Sequence, residues 1–324
     1  MAEIHGKMVK FFSLNPEHDL GDEISKYLGI PISNCELKRF SDGEVSINIT
    51  ETVRNHDVFV LQTTSSPVNE RYMELLIMID ALKRASANSI NVIMPYYGYS
   101  RQDRKALPRQ PISAKLVADL LEVAGASRVI AMDLHAAQIQ GFFNIPIDNF
   151  ESALVLVQYF KKKKLKDLVI VAPDHGGTTR ARKFALCFNA PIAIIDKRRD
   201  APNKAQVMFI IGEVSNKNVI ILDDMVDTAG TISAACIALK NAGALSIHVA
   251  CTHAILSGDA INKISIPEID EFVCTNTVPL TKEKRIDKIK VLSIASTLGQ
   301  GLLNIIDGKP VSDLFIYKPD DKSN

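Results

Sequence analysis

The sequence has almost no net charge: 38 Lys and Arg stand against 37 Asp and Glu, a formal balance of +1. That argues against a nucleic-acid surface and against an acidic tail. One basic block breaks the balance, Lys161 to Lys164. It reads as the end of a helix over 153–160, where cations complement the dipole, with a lipid or nucleic-acid patch as the alternative. No C-x-x-C pair occurs. Cys35, Cys187, Cys236, Cys251 and Cys274 lie mostly in apolar runs, so buried free thiols in a reducing compartment are expected. No apolar stretch reaches transmembrane length and the first residues lack the apolar core of a secretory signal. A cytoplasmic protein with no membrane partner is therefore expected.

A chain of 324 residues, 47% hydrophobic and 23% charged, is long enough for two globular domains. Strands are expected at 8–13, 57–62, 90–94, 129–132, 168–172, 191–195, 207–211, 218–222, 247–251, 271–274 and 291–295. Helical patterns fall between many of them, over 72–83 and from 113, 179 and 232. An Asn15-Pro16 start opens a helix that ends near Gly29. Residues 36–51 read as two strands joined at Ser41-Asp42-Gly43. Alternation of this kind gives an α/β fold of parallel sheets flanked by helices. The segment 114–136 echoes 232–254, with Gly125 matching Gly243 and His135 matching His253 at one offset, 118. That echo predicts two similar α/β domains, 1–150 and 151–304, with a segment at about 305–318 packing back on the first.

The stretch Asn218 to Ala238 organises the chain. Aliphatic residues to Leu222 read as a strand buried on both faces. Asp223, Asp224 and Asp227 follow as an acidic loop, then Thr228-Ala229-Gly230-Thr231, then a helix from Ile232. Gly230 would let the backbone approach a ligand closely, and a helix start with two hydroxyls favours an anion. The turn has no Lys and lacks Walker A spacing, so a nucleoside triphosphate P-loop is not expected. Acids beside an anion cradle suit a phosphorylated sugar. The plainer alternative is a strand–turn–helix with solvated acids at its rim.

Ligands of parallel α/β sheets bind beyond the strands' carboxyl ends. Besides Asp223 to Thr231, four motifs follow predicted strands: Arg101-Gln102-Asp103, Asp133-Leu134-His135, Asp174-His175-Gly176-Gly177 and Lys197-Arg198-Arg199. They are expected to converge on a site. Asp133 and His135, two apart at a strand end, are expected to point to one face. A lone His is otherwise a structural residue, Asp174 a helix N-terminal acid and KRR a solvated cluster. Residues 96–111 read as a long exposed loop.

Taken together, FSDGE (40–44), YSRQDRK (99–105), MDLHAAQIQGFF (132–143), PDHGGTTRAR (173–182), DKRR (196–199) and DDMVDTAGT (223–231) closely resemble the ribose-phosphate diphosphokinase family. The resemblance covers nearly the whole chain and implies two phosphoribosyltransferase-like domains. It implies Mg2+-dependent transfer of the diphosphoryl group of ATP to ribose 5-phosphate, for nucleotide biosynthesis. On that basis Asp223, Asp224 and Asp174 would meet the ribose, and Asp227, Thr228, Ala229, Gly230 and Thr231 its 5-phosphate. Phe40, Asp42 and Glu44, from a neighbouring chain, would join Arg101, Gln102, Asp103 and His135 at ATP. Asp133, His135 and Asp174 would serve metal, while Lys197 and Arg199, with His135, would carry catalysis. A homo-oligomer, usually a hexamer, with ADP or phosphate as allosteric ligand is implied too. The loop Ala106 to Gln110 departs from many relatives, which bears on that regulation. Two alternatives are a phosphoribosyltransferase that consumes phosphoribosyl diphosphate and a non-catalytic regulatory subunit.

Overall fold

The computed structural model describes residues 3–15, 17–198 and 207–315. The chain forms two compact units. The first holds residues up to Glu151 with Thr277–Pro279 and Ile294–Leu314, and the second holds Ser152–Asn276 and Leu280–Ser293.

In the first unit the chain runs β1 (Glu3–Ile4), β2 (Lys7–Ser13), α1 (Leu20–Leu28), β3 (Cys35–Arg39), β4 (Val45–Ile49), β5 (Asp57–Leu61), α2 (Val68–Arg84), β6 (Ser89–Met94), α3 (Ser113–Ala124), β7 (Arg128–Met132) and β8 (Ile147–Phe150). One sheet has the order β1-β2-β5-β6-β7-β8, parallel except at β1, and β3 pairs with β4 in a separate hairpin. The central strands are apolar on both faces because helices cover both. Phe12, Val58, Val60, Val92 and Val129 pack with α2 and α3.

The second unit continues with α4 (Ala153–Lys163), β9 (Leu168–Ala172), α5 (Thr178–Leu186), β10 (Ile192–Arg198), β11 (Val207–Ile211), β12 (Asn218–Val226), α6 (Gly230–Asn241), β13 (Ser246–Ala254), α7 (Ala260–Ile264), β14 (Glu271–Thr275) and β15 (Ile289–Leu292). Its sheet has the order β11-β10-β9-β12-β13-β14-β15, parallel except for edge strand β11. Along β12 the faces alternate strictly: Val219 and Ile221 pack under α6, while Ile220 and Leu222 pack with residues of α4 and α5. The Lys161–Lys163 run closes α4, as its placement against the helix dipole requires.

The two units share one topology. In the second, β10 lies outside β9, returns through the β10–β11 hairpin, and the chain crosses to β12 on the other side of β9. In the first, Ile32 bridges Phe11 of β2 in parallel, the β3–β4 hairpin follows, and the chain crosses to β5 on the far side of β2. Counting on, β5 corresponds to β12, β6 to β13 and β7 to β14. The echo at offset 118 therefore slips by one α–β step: it matches α3 with α6 and β7 with β13, whereas the sheet matches α2 with α6. α3 and α6 both lead into Ala-Gly-Ala before a strand while α2 ends without glycine, so the sequence echo locked onto the neighbouring repeat.

Several boundaries also move. α1 starts at Leu20 and ends at the left-handed Gly29, so Asn15-Pro16 does not open it. β12 runs to Val226 rather than Leu222, because β13 is long enough to pair with it through Ala254. β10 continues to Arg198, held by β11. The expected strand at 291–295 is β15 followed by a helix, α8 (Ala295–Asp307). That helix belongs to the first unit, so the returning segment begins well before 305. Two glycines allow its approach: a Cβ on Gly299 would lie 2.3 Å from Cδ1 of Tyr27 on α1, and one on Gly301 2.4 Å from Cζ of Phe150. All five cysteines are free, four of them buried. Among the described residues no helix is long and apolar enough to cross a membrane.

Candidate active site

In the second unit, β12 carries Asp223 and Asp224 on its last turn of strand, paired across to β13 at Cys251. They are strand residues, not a loop. Asp224 is buried and Asp223 half-buried. The Asp224 N–H donates to Asp223 Oδ1 at 2.9 Å. Arg180, from the first turn of α5, supplies the counter-charge: its Nη1 lies 3.2 Å from Asp224 Oδ1 and 3.5 Å from Asp223 Oδ1. A cation in a first helical turn opposes the dipole, and the acid pair is what makes the position tolerable. Burial first, and then the charge of Asp224, push the Asp223 carboxyl up to about 8, with Arg180 pulling the other way.

Beyond Val226 the chain turns through Asp227 and exposed Thr228, then enters α6 with Ala229 in the left-handed region at φ 56°. The conformational demand thus falls on Ala229 rather than Gly230. Gly230 and exposed Thr231 open the helix, whose first turn contains no acid. The turn is held at two of its carbonyls, since the Ser257 N–H donates to the Asp227 carbonyl at 2.9 Å and Lys263 Nζ to the Thr228 carbonyl at 3.2 Å. Lys263 and Arg180 had no assigned role in the sequence reading. Both come from other crossovers, and only the sheet order 9-12-13 could have pointed to them.

Asp174 is exposed at the end of β9, and its Oδ1 accepts the Gly177 N–H at 3.0 Å. It is thus a helix N-terminal acid whatever else it does. His175 Nε2 lies 3.2 Å from Asp196 Oδ1, which ties this loop to the end of β10. Lys197 sits within β10 opposite Met208. Arg199 lies outside the described residues.

In the first unit, Phe40, Asp42 and Glu44 ring the β3–β4 turn. Phe40 is 60% exposed at the hairpin tip. The turn is fixed by the Phe40 N–H to the Glu44 carbonyl at 2.8 Å and by Asp42 Oδ1 accepting the Glu44 N–H at 3.1 Å. Arg101 and Gln102 are exposed after β6, and Asp103 accepts Gln138 Nε2 at 2.6 Å. That bond brings the Arg101 loop together with the segment following His135. β7 stops at Met132, and Asp133 takes φ 41°. Strand alternation therefore ends before His135, which corrects the expectation that Asp133 and His135 share a face on that ground. Asp133 is half-buried with its N–H on the Phe150 carbonyl at 2.8 Å, and His135 is exposed.

Among the described residues no three His, Cys, Asp or Glu side chains gather into a metal site. The donors available are single carboxylates and an imidazole. The carboxylates fit Mg2+, which keeps waters and substrate phosphates as most of its ligands, whereas an imidazole is an unusual ligand for it.

Duplicated parallel sheets flanked by helices, with acids and a helix-start turn at the strand ends, define the class, an α/β protein with a candidate sugar-phosphate site. Residues 9–125 match the family described as the N-terminal domain of ribose phosphate pyrophosphokinase, and residues 198–316 that of the phosphoribosyl synthetase-associated domain. The chain is 57% identical over 307 residues to the ribose-phosphate pyrophosphokinase of Bacillus caldolyticus, covering 95% of this chain and 98% of that one. It is 54% identical over 309 residues to that of Bacillus subtilis, with 95% and 98% covered. The crystal structure of phosphoribosylpyrophosphate synthetase from Mycobacterium smegmatis superposes with a TM-score of 0.89 at 39% identity, covering 93% of this chain and 100% of that one. The chain belongs to the ribose-phosphate pyrophosphokinase family and has that enzyme activity.

Proposed function

We propose that the enzyme moves the β,γ-diphosphoryl group of ATP to the anomeric hydroxyl of ribose 5-phosphate, giving phosphoribosyl diphosphate and AMP. The observation that carries the sugar end is the acid pair of β12, one member buried and one half-buried, leading through left-handed Ala229 into the acid-free start of α6. Asp223 and Asp224 accept hydrogen bonds from the ribose hydroxyls, with Asp174 beside them, and Asp227 to Thr231 receive the 5-phosphate. Holding the sugar fixes its anomeric oxygen for attack on phosphorus, an orientational gain that needs no covalent chemistry from the protein.

The donor end rests on the first unit. Arg101 and Gln102 bind ATP, with Asp103 acting through its bond to Gln138. Phe40, with Asp42 and Glu44, stacks and reads the adenine of a neighbouring protomer, which accounts for an exposed aromatic at a rigid tip and implies a homo-oligomer, a hexamer in our reading. Mg2+, when bound, neutralises the phosphates and draws electron density from the reacting phosphorus. His135, Asp133 and Asp174 would hold it. Lys197 and Arg199 stabilise charge on the transferring group, with His135 beside it. ADP or phosphate would act as allosteric ligand, and a cytoplasmic location suits both substrates.

AMP release from ATP, followed with and without ribose 5-phosphate, tests the reading. AMP formed independently of the sugar would sink it. Lys197→Ala is expected to lower kcat by about 10³-fold, and a near-wild-type kcat would remove Lys197 from the chemistry.

A further inference from the structure

The anion-receptive turn has no lysine of its own in sequence, yet the fold delivers one. Lys263, on α7, donates from Nζ to the Thr228 carbonyl at 3.2 Å. A methyl built on Gly230 would lie 3.8 Å from the same Nζ. The ammonium therefore spans the turn from Thr228 to Gly230, across the mouth of α6. Among the described residues no carboxylate lies within ion-pair distance of it, and the first turn of α6 carries no acid. A helix N-terminus already presents partial positive charge. The last turn of α7 and the Thr228 carbonyl offset that ammonium in part, and an anion from outside would offset the rest. Lys263 is half-buried, and its bond to the Thr228 carbonyl uses one of three donors.

We propose that Lys263 is a direct ligand of the 5-phosphate of ribose 5-phosphate and sets the preference for a phosphorylated over an unphosphorylated pentose. The proposal rests on the reading of Asp227 to Thr231 as the sugar-phosphate turn. The helix start supplies N–H groups without full charge; Lys263 supplies the charge. Lysine supplies that charge as a point charge, and arginine's planar fork could supply it by pairing with phosphate oxygens bidentately.

The test uses the full-length enzyme with Lys263→Gln and Lys263→Arg. A glutamine amide can still donate to the Thr228 carbonyl, so a role confined to bracing the turn predicts little change in Lys263→Gln. The proposal predicts a rise of about 10- to 100-fold in KM for ribose 5-phosphate in Lys263→Gln, an unchanged KM for ATP, and recovery of most of the affinity in Lys263→Arg. It also predicts that salt weakens ribose 5-phosphate binding less in Lys263→Gln than in wild type. A wild-type KM for the sugar in a folded Lys263→Gln overturns the proposal. So does an equal rise in both KM values accompanied by a lower Tm. Gly230→Leu, assayed alongside, strikes the turn itself. If it leaves the sugar KM untouched, the reading of the turn fails. If it raises that KM while Lys263→Gln does not, only the role of Lys263 fails.

Discussion

Ribose 5-phosphate is expected to expel a proton as it binds. In the ligand-free protein Asp223 sits at about 8, raised by burial and by Asp224. Vicinal hydroxyls that donate to both side chains favour their ionised, acceptor-only form and would replace the water that burial removes, so binding drives the pair toward two carboxylates. A carboxyl raised that far above its ordinary range still holds a proton at pH 7 and loses it as pH rises, so the proton available for release shrinks with rising pH. Calorimetric titration in two buffers of different ionisation enthalpy gives the number directly. Asp223→Asn keeps the shape but has no proton to lose, so wild type minus variant cancels the phosphate's own titration. The difference should decline as pH climbs through 8. No difference at pH 7, or one that grows with pH, would refute the assignment of a shared proton to the acid pair.

The same displacement affects folding. Because the folded value lies above the ordinary aspartate value, the stability this group contributes is complete below about 4 and is lost as pH rises through about 8. The unfolding free energy of ligand-free wild type should therefore fall relative to Asp223→Asn across that window, by at most about 1.4 kcal/mol per pH unit for one proton, seen as a lower Tm. Arg180→Gln removes the cation 3.2 Å from Asp224; it should tighten the hold on the proton, extend proton release to higher pH and raise the sugar KM. Gly301→Ala places a Cβ 2.4 Å from Phe150 Cζ and should cost about 1–3 kcal/mol, seen as a lower Tm that Phe150→Leu partly restores. Phe40→Ala should raise KM for ATP without lowering Tm, since a ring that is 60% exposed contributes little to its own fold.

Strand cores such as Leu168–Ala172 and Val219–Leu222 were legible because burial on both faces writes an unbroken aliphatic run. Their ends were not. Asp223 and Asp224 read as loop on composition, yet pairing with β13 keeps them in the strand, and side-chain polarity cannot override ladder bonds supplied by a neighbour. α8 was missed because Gly299 and Gly301 weaken its helical signal, roughly 1 kcal/mol each relative to Ala. Their purpose, room for Tyr27 and Phe150, exists only in three dimensions. Arg180 and Lys263 stayed hidden for a related reason. Each lies more than thirty positions from the turn it serves, and a lysine on a short helix looks like any solvated charge.

The duplication offers a comparison for the proposed sugar turn, because the first unit holds its counterpart. β5 holds in the first unit the place β12 holds in the second, so the segment after Leu61 is the counterpart of Asp223 to Thr231. There the polar groups are spent internally. Thr63 Oγ1 donates to the Thr277 carbonyl at 2.6 Å, Thr64 Oγ1 to the Tyr96 carbonyl at 2.8 Å, and Gln62 Nε2 to Glu74 at 2.9 Å. Arg39 closes on the same buried Glu74 at 2.5 Å. Thr63, Thr64 and Glu74 are buried, whereas Thr228 and Thr231 are exposed. The second unit keeps its hydroxyls on the surface and its acids against one arginine, an arrangement that costs stability through the raised Asp223. A structural turn has no reason to carry that cost. A turn that must open to a diol and a phosphate does, and the contrast between the two copies is the physical argument for placing the sugar at β12.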